Sequence, residues 1–432
     1  VKDSIIIKLH QPASRDFPSW QQLLHDKAGG EYALSADIDS IIRKNKVPVW
    51  VTREYDAMKR GGWTKEEVSS GLNRIYRLIL KNDRKFSPEL VRQISLLPEV
   101  EYAHAPQYAE AELPRYQSHQ LAQGRPLMRG SEAVVKEAHS YSRGMPSVKI
   151  AVLDTGIEAI HPEFAGGRMQ QGFDFVNIIN GQQKFTGDFL GLDDMPEDEV
   201  GHGTHVSGII AARGQRMAVG VAPNCTILPV KVLGAFKRGA SVVGAGTIQD
   251  INAGIKYAVD EGASIINMSL GVKHEGGGLP HAEVVDYARK RGVTIVAASG
   301  NDGTRDKYFP GANPYVIAIG AVDPQGEVAN FSTRGAHISF VAPGTNIYST
   351  YLRQDYAFSS GTSQAAPFVS GAIALLKSYA LRKTGRTLKD ADLKRLLMTT
   401  ADRSGRSIKT INEGFGAINL PDALKLLNYQ MN

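Results

Sequence analysis

Residues 247–298 read TIQDINAGIKYAVDEGASIINMSLGVKHEGGGLPHAEVVDYARKRGVTIVAA, and this stretch decides the fold. The pattern predicts a helix over 247–261, a strand over 264–270, a helix over 282–291 and a strand over 293–298. The alternation extends in both directions: 148–153, 226–233 and 315–321 read as strands, 202–212 and 363–378 as helices. Strands alternating with helices predict an α/β architecture, a mainly parallel sheet with helices on both faces. Ligands on such sheets sit beyond the carboxyl ends of the strands, so the chemistry is sought there.

Composition sets the outer limits. The chain has 432 residues, enough for about two or three domains. Apolar residues make up 42% and charged residues 22%, ordinary for a soluble globular protein. No run approaches the roughly 18 consecutive apolar residues of a membrane helix. The net charge of +6 is spread along the chain, which argues against a nucleic-acid footprint. The single cysteine, Cys225, excludes an intrachain disulfide and reads as a small buried hydrophobe. The sequence opens on Val1 with no signal-peptide pattern, which reads as a removed leader or a trimmed chain.

A break is expected near 105–130, where Ala105-Pro106-Gln107-Tyr108-Ala109-Glu110-Ala111-Glu112-Leu113-Pro114 leads into polar, Gln- and Arg-rich chain. Such composition reads as exposed and open to proteolytic nicking. Before it, the pattern is that of a small α+β domain: strands over 5–9, 71–80 and 101–105, and a helical patch over 20–24. A further helix starts at Ser87-Pro88 and carries Leu90, Ile94 and Leu97 on one face. Residues 30–70 are less legible and read as an insertion. The expected division is 1–112 and 113–432.

Three motifs sit at strand or helix ends. Val152-Leu153-Asp154-Thr155-Gly156 closes an apolar strand on a carboxylate at a glycine turn. Gly201-His202-Gly203-Thr204-His205 starts a helix between glycines; zinc binding by the two histidines is disfavoured, since no Glu stands between them in a zinc-protease pattern. Ser360-Gly361-Thr362-Ser363-Gln364-Ala365-Ala366-Pro367 sets a serine among small residues at the start of a long apolar helix. Each reads alone as a cap or turn. Together they supply what serine chemistry needs: a nucleophile, a base to take its proton and a carboxylate to fix the base.

On these motifs, with Ser299-Gly300-Asn301, the sequence resembles the subtilisin-like serine proteases, the subtilase family, over about 130–428. The resemblance implies a serine endopeptidase with Asp154, His202 and Ser363 as triad and Asn301 as oxyanion donor. It implies that Ser269, Leu270 and Gly271 form one edge pairing with substrate, and Gly234 the opposite edge. Ala298, Ser299 and Gly300 would wall the pocket for the residue before the scissile bond, with Tyr308 near its floor and Asp302 at its rim. An aromatic floor predicts small or medium apolar side chains there. The N-terminal domain resembles the family's ferredoxin-like pro-domain, an inhibitor and intramolecular chaperone whose tail lies in the substrate cleft; self-cleavage is expected between about Ala105 and Tyr116. The implied partners are protein or peptide substrates and the chain's own pro-domain, the implied state a monomer, and the implied location secreted, extracellular or periplasmic. The alternative is an inhibited complex or interaction module in which the pro-domain stays bound.

Two departures matter. The family's Met after the nucleophile is Gln364 here, which predicts tolerance to peroxide. The family's calcium loop is replaced by Arg213-Gly214-Gln215-Arg216-Met217-Ala218, and two arginines repel a cation. Glu163 occupies a ligand position of that site. The acidic run holding Asp193 and Asp194 is the other candidate for a structural Ca²⁺; no organic cofactor is expected.

Overall fold

The computed structural model describes residues 3–20, 22–23, 34–58, 62–82, 84–111, 129–177, 184–189, 191–273, 279–405 and 407–432. Its centre is a parallel sheet in the order Phe340–Pro343, Ile317–Val322, Thr294–Ala298, Ile265–Met268, Lys149–Asp154, Thr226–Lys231, Arg168–Met169, with Phe173–Asp174 also paired to Thr226–Lys231. The inner strands are near-continuous apolar runs because helices cover both faces. Successive side chains alternate between the two. Ile150 and Val152 join Ile210 of helix His202–Ala211 and Ile373 of helix Thr362–Thr384. Ala151 and Leu153 join Ile251 of helix Ile248–Asp260 and Val285 of helix Ala282–Lys290.

The N-terminal residues form an antiparallel sheet in the order Val49–Arg53, Ile75–Leu80, Ser4–Leu9, Val100–His104, with helices Ala36–Lys44 and Pro88–Ser95 on one face. Ser87 caps the second helix and Pro88 opens it. The other sheet face, through Ile6, Ile75 and Tyr55, packs into the apolar cluster of helices Ile248–Asp260 and Ala282–Lys290. Lys8 pairs with Glu283 at 2.8 Å, and Glu67 with Lys256 at 2.9 Å, across the same boundary.

Two expectations change. Residues 34–58, within the stretch read as an insertion, are built into the domain, where they supply helix Ala36–Lys44 and the sheet strand Val49–Arg53. The start of the supposedly exposed break is ordered: Tyr108–Ala111 pairs antiparallel with Ser241–Thr247, setting Ala109 opposite Gly246 and Ala111 opposite Gly244, and both alanines are buried. Residues 112–128, the rest of that break, lie outside the described residues.

Candidate active site

Asp154 is the last residue of strand Lys149–Asp154, and its Oδ1 lies 2.6 Å from Nδ1 of His202. Both side chains are buried. Two glycines permit the approach. Gly201 caps the His202 helix at φ 90°, a conformation L side chains rarely adopt. A Cβ at Gly203 would stand 2.2 Å from the Gly156 carbonyl. Burial opposes charge on the His202 ring, yet the adjacent Asp154 carboxylate, its hydrogen bond and the more distant Asp198 together raise the pKa above the usual histidine value. His202 Nε2 is buried with no hydrogen-bond partner among the described residues.

Ser363 is the second residue of its helix. Its hydroxyl donates to the Ser269 carbonyl at 3.1 Å, and the Ser269 hydroxyl donates back to the Ser363 carbonyl at 2.8 Å. The second bond has a local cause. Pro367, four residues on, has no N–H for that carbonyl, and Ser269 supplies the missing donor. Asn301 Oδ1 accepts from the N–H and hydroxyl of Thr362 at 2.8 and 2.9 Å, which orients its carboxamide beside the nucleophile.

Ser269, Leu270, Gly271, Ala298, Gly300, Asn301 and Tyr308 line one small cavity of about 20 Å³ with Thr362 and Ser363. The Tyr308 hydroxyl donates to Asp302 at 3.0 Å, and Lys273 lies 3.2 Å from the same carboxylate. Ser299 is not among the lining residues: its N–H bonds the Ile319 carbonyl within the sheet. Gly234 is not a free edge. It sits in strand Gly234–Arg238, between Ser241–Thr247 and Phe185–Thr186, and the edge that accepts another strand is Ser241–Thr247. The hairpin turn Arg238-Gly239-Ala240 hid this in a polar, Gly-rich stretch.

Asp198 belongs to the acidic run that holds Asp193 and Asp194, and the structure puts it beside Asp154 and His202. Its buried carboxylate accepts from the Thr155 hydroxyl, from the N–H groups of Val200, Gly201 and Thr204, and from the Thr204 hydroxyl, at 2.7–3.0 Å. The signal was its place four residues before His202, within reach of the helix start. His205 points elsewhere: its Nε2 lies 3.1 Å from the carbonyls of Ile347 and Ala357, so it braces a hairpin and does not pair with His202 around a metal. Gln364 is buried, and neither end of its carboxamide has a hydrogen-bond partner among the described residues. Burial pushes the Cys225 thiol up to about 11, as fits an inert core residue.

Glu163 does not fit a cation ligand. Its buried carboxylate accepts the backbone N–H groups of Gly214, Gln215, Arg216 and Met217 at 2.7–3.3 Å and the Tyr356 hydroxyl at 3.1 Å. The loop therefore turns its amides toward the position, where a cation needs carbonyls. Asp193 Oδ1 accepts the Met195 N–H, and Asp194 is exposed. Among the described residues no group of three or more His, Cys, Asp or Glu side chains could hold a metal.

With this geometry in place, comparison with known proteins is direct. The subtilase family model matches residues 146–417. The major intracellular serine protease of Bacillus subtilis (strain 168) is 38% identical over 299 residues, covering 67% of this chain and 88% of that protein. Subtilisin BL of Lederbergia lenta is 39% identical over 56% of this chain and 81% of its own length. The solved structure of the prenylagaramide maturation protease PagA is 29% identical with a TM-score of 0.55, covering 68% of this chain and 98% of that one. A carboxylate–histidine contact at the mouth of a parallel sheet, a serine at the head of a buried helix and these relatives give one conclusion: the chain belongs to the subtilase family and is a subtilisin-like serine protease.

Proposed function

We propose that the protein is an endopeptidase in which Ser363 attacks the peptide carbonyl and His202 takes the hydroxyl proton. Asp154 fixes the His202 tautomer, and Asn301 with the Ser363 N–H holds the oxyanion. The 2.6 Å contact from Asp154 Oδ1 to His202 Nδ1 carries this reading. A ring held at Nδ1 keeps its Nε2 lone pair for a proton, and that atom is buried without a hydrogen-bond partner among the described residues. In the first step the Ser363 hydroxyl turns from the Ser269 carbonyl toward this nitrogen; the acyl-enzyme that follows is hydrolysed by water activated the same way.

In the same reading residues 1–112 are a pro-domain and 113–432 the catalytic domain, and the chain is a zymogen that cuts itself within about 105–116. The pairing of Tyr108–Ala111 with Ser241–Thr247, beside strand Val272–Lys273, supports this, since a substrate strand would add to the same edge. Tyr308 at the small cavity supports a preference for small residues before the scissile bond. The partners are peptide or protein substrates and the pro-domain, and the enzyme works as a monomer. No helix among the described residues is long and apolar enough to cross a membrane. Secretion rests on the family resemblance alone, against which stands the relative named as intracellular. Asp193 and Asp194 are the candidates for a structural Ca²⁺, and no catalytic step involves it.

A fluorophosphonate probe followed over time on a gel tests the reading. The expected result is Ser363-dependent labelling of a fragment of about 320 residues, and faster cleavage of peptides with Ala before the scissile bond than with Arg, Lys or Trp. An uncut chain that takes no label contradicts it.

A further inference from the structure

The loop that carries Tyr308 also borders a second cavity, of about 650 Å³, outside the catalytic residues. That volume is in the range of small-molecule sites. Its charged lining is of one sign. Arg305 and Lys307 come from the loop, His337 from the segment after Gly335, Lys394 from helix Asp390–Thr400, and Lys409 from the chain beyond it. No aspartate or glutamate is among the lining residues described.

Nearby carboxylates have other partners. Asp306 pairs with Lys273 at 2.7 Å, Asp392 with Arg395 at 2.8 Å, Asp390 accepts from the Thr294 hydroxyl, and Glu413 accepts from the Ser404 hydroxyl. Among the described residues Arg305, Lys307, Lys394 and Lys409 form no ion pair. Lys409 donates instead to the Ala336 carbonyl at 2.7 Å and lies 5.0 Å from the Phe415 ring centre. His337 Nε2 is buried with no hydrogen-bond partner among the described residues. The crowding has an electrostatic mark: burial and the charges of Lys307 and Lys409 hold His337 below its usual pKa, and burial and Lys394 do the same to Lys409.

Four cations and a histidine turned onto one cavity repel one another when it is empty of charge. A multivalent oxyanion relieves that repulsion and accepts a charge-assisted hydrogen bond from each. We propose that this cavity is a binding site for a small free oxyanion of the phosphate class, held by Arg305, Lys307, His337, Lys394 and Lys409. The site is joined to the substrate pocket through the loop. Tyr308 follows Lys307 directly, and its ring packs on Gly300, where a Cβ would stand 2.4 Å from Tyr308 Cδ2. An occupant therefore braces the loop that shapes the pocket next to Ser363. The binding itself does not depend on the peptidase reading, so either can fail without the other.

Isothermal titration calorimetry on the full chain with inorganic pyrophosphate tests the proposal, at constant ionic strength to remove unspecific screening. The expected result is saturable one-to-one binding, weakened about tenfold or more in Lys394→Gln and in Lys409→Gln. Thermal melting of each variant shows whether it folds, and Arg305→Gln on the exposed loop gives a third variant. No saturable heat at millimolar pyrophosphate, or affinity unchanged in the folded variants, overturns it. So does binding of a phosphoserine peptide without binding of free pyrophosphate, which would make the face a docking surface for a protein.

Discussion

Asp198 accepts from Thr155, the neighbour of Asp154, and from Gly201 and Thr204, on either side of His202. One carboxylate thus ties the turn that carries Asp154 to the helix that carries His202. In the proposed mechanism it touches no reacting atom and is a positioning residue. Asparagine in its place brings an amide N–H against a ring of donors. Asp198→Asn should lower kcat about tenfold or more through lost alignment, with KM little changed. It should also move the acid limb of the pH–rate profile to lower pH. The Asp198 charge helps raise the His202 pKa; without it the ring stays neutral, as a base must be, at lower pH. A profile that keeps its acid limb in place would count against this role. The motif residues themselves were legible because each marks a special backbone: a carboxylate at a glycine turn, a histidine between glycines, a serine before small residues. Asp198 was not, because five of the chain's acidic residues crowd into 193–199 and spacing alone does not say which one turns inward.

At the scale of elements, the helix Thr362–Thr384 is buried on all sides from Thr362 to Ala380 and carries a proline in its second turn. A proline so placed frees the carbonyl four residues earlier, and here that carbonyl belongs to Ser363. Ser269→Ala leaves it buried without a donor, at a cost of about 1–3 kcal/mol. Pro367→Ala restores the backbone N–H, so the double variant should recover most of the loss in urea unfolding of probe-inactivated enzyme. Equal instability of the single and double variants would refute the compensation. Sequence gave the Ser363 helix and the Ser269 strand end separately, but not this bond, since 94 positions separate the two serines. The central strands were readable because burial on both faces makes them continuous apolar runs. The edges were not: Val49–Arg53 is five residues long and pairs with one strand of its sheet, and the Gly234–Arg238 strand ends in charge and glycine.

At the scale of the whole molecule, two sheets meet over helices Ile248–Asp260 and Ala282–Lys290. Asp250, in the first turn of the former, is wholly buried; burial pushes its pKa up to about 7, against the pull of Thr247 and of Arg77 in the N-terminal sheet. A carboxyl whose folded pKa is raised holds its proton more tightly folded than unfolded. Its contribution is complete below the unfolded value of 3.8 and is lost as pH climbs through about 7. Stability should therefore fall across that window with a slope of up to about 1.4 kcal/mol per pH unit, and Asp250→Asn should flatten it. An unchanged slope would place the titration elsewhere. The architecture was predictable because one period of strand and helix recurs along the chain. The contact of N-terminal tail and sheet edge was not, because Tyr108–Ala111 carries the composition of exposed chain, and Ala109 and Ala111 are buried only in the folded molecule, where the segment pairs with Ser241–Thr247.

The proposed relay runs through Asp154, His202 and Ser363, and kcat tests it most directly, measured on parent and variants all freed of residues 1–112 by the same added protease. Ser363→Ala and His202→Ala should each lower kcat by about 10⁶, the size known for the relay of subtilisin, and the double variant should be no worse than either single. Single variants that keep activity within tenfold of the parent, or losses that multiply in the double, would contradict it.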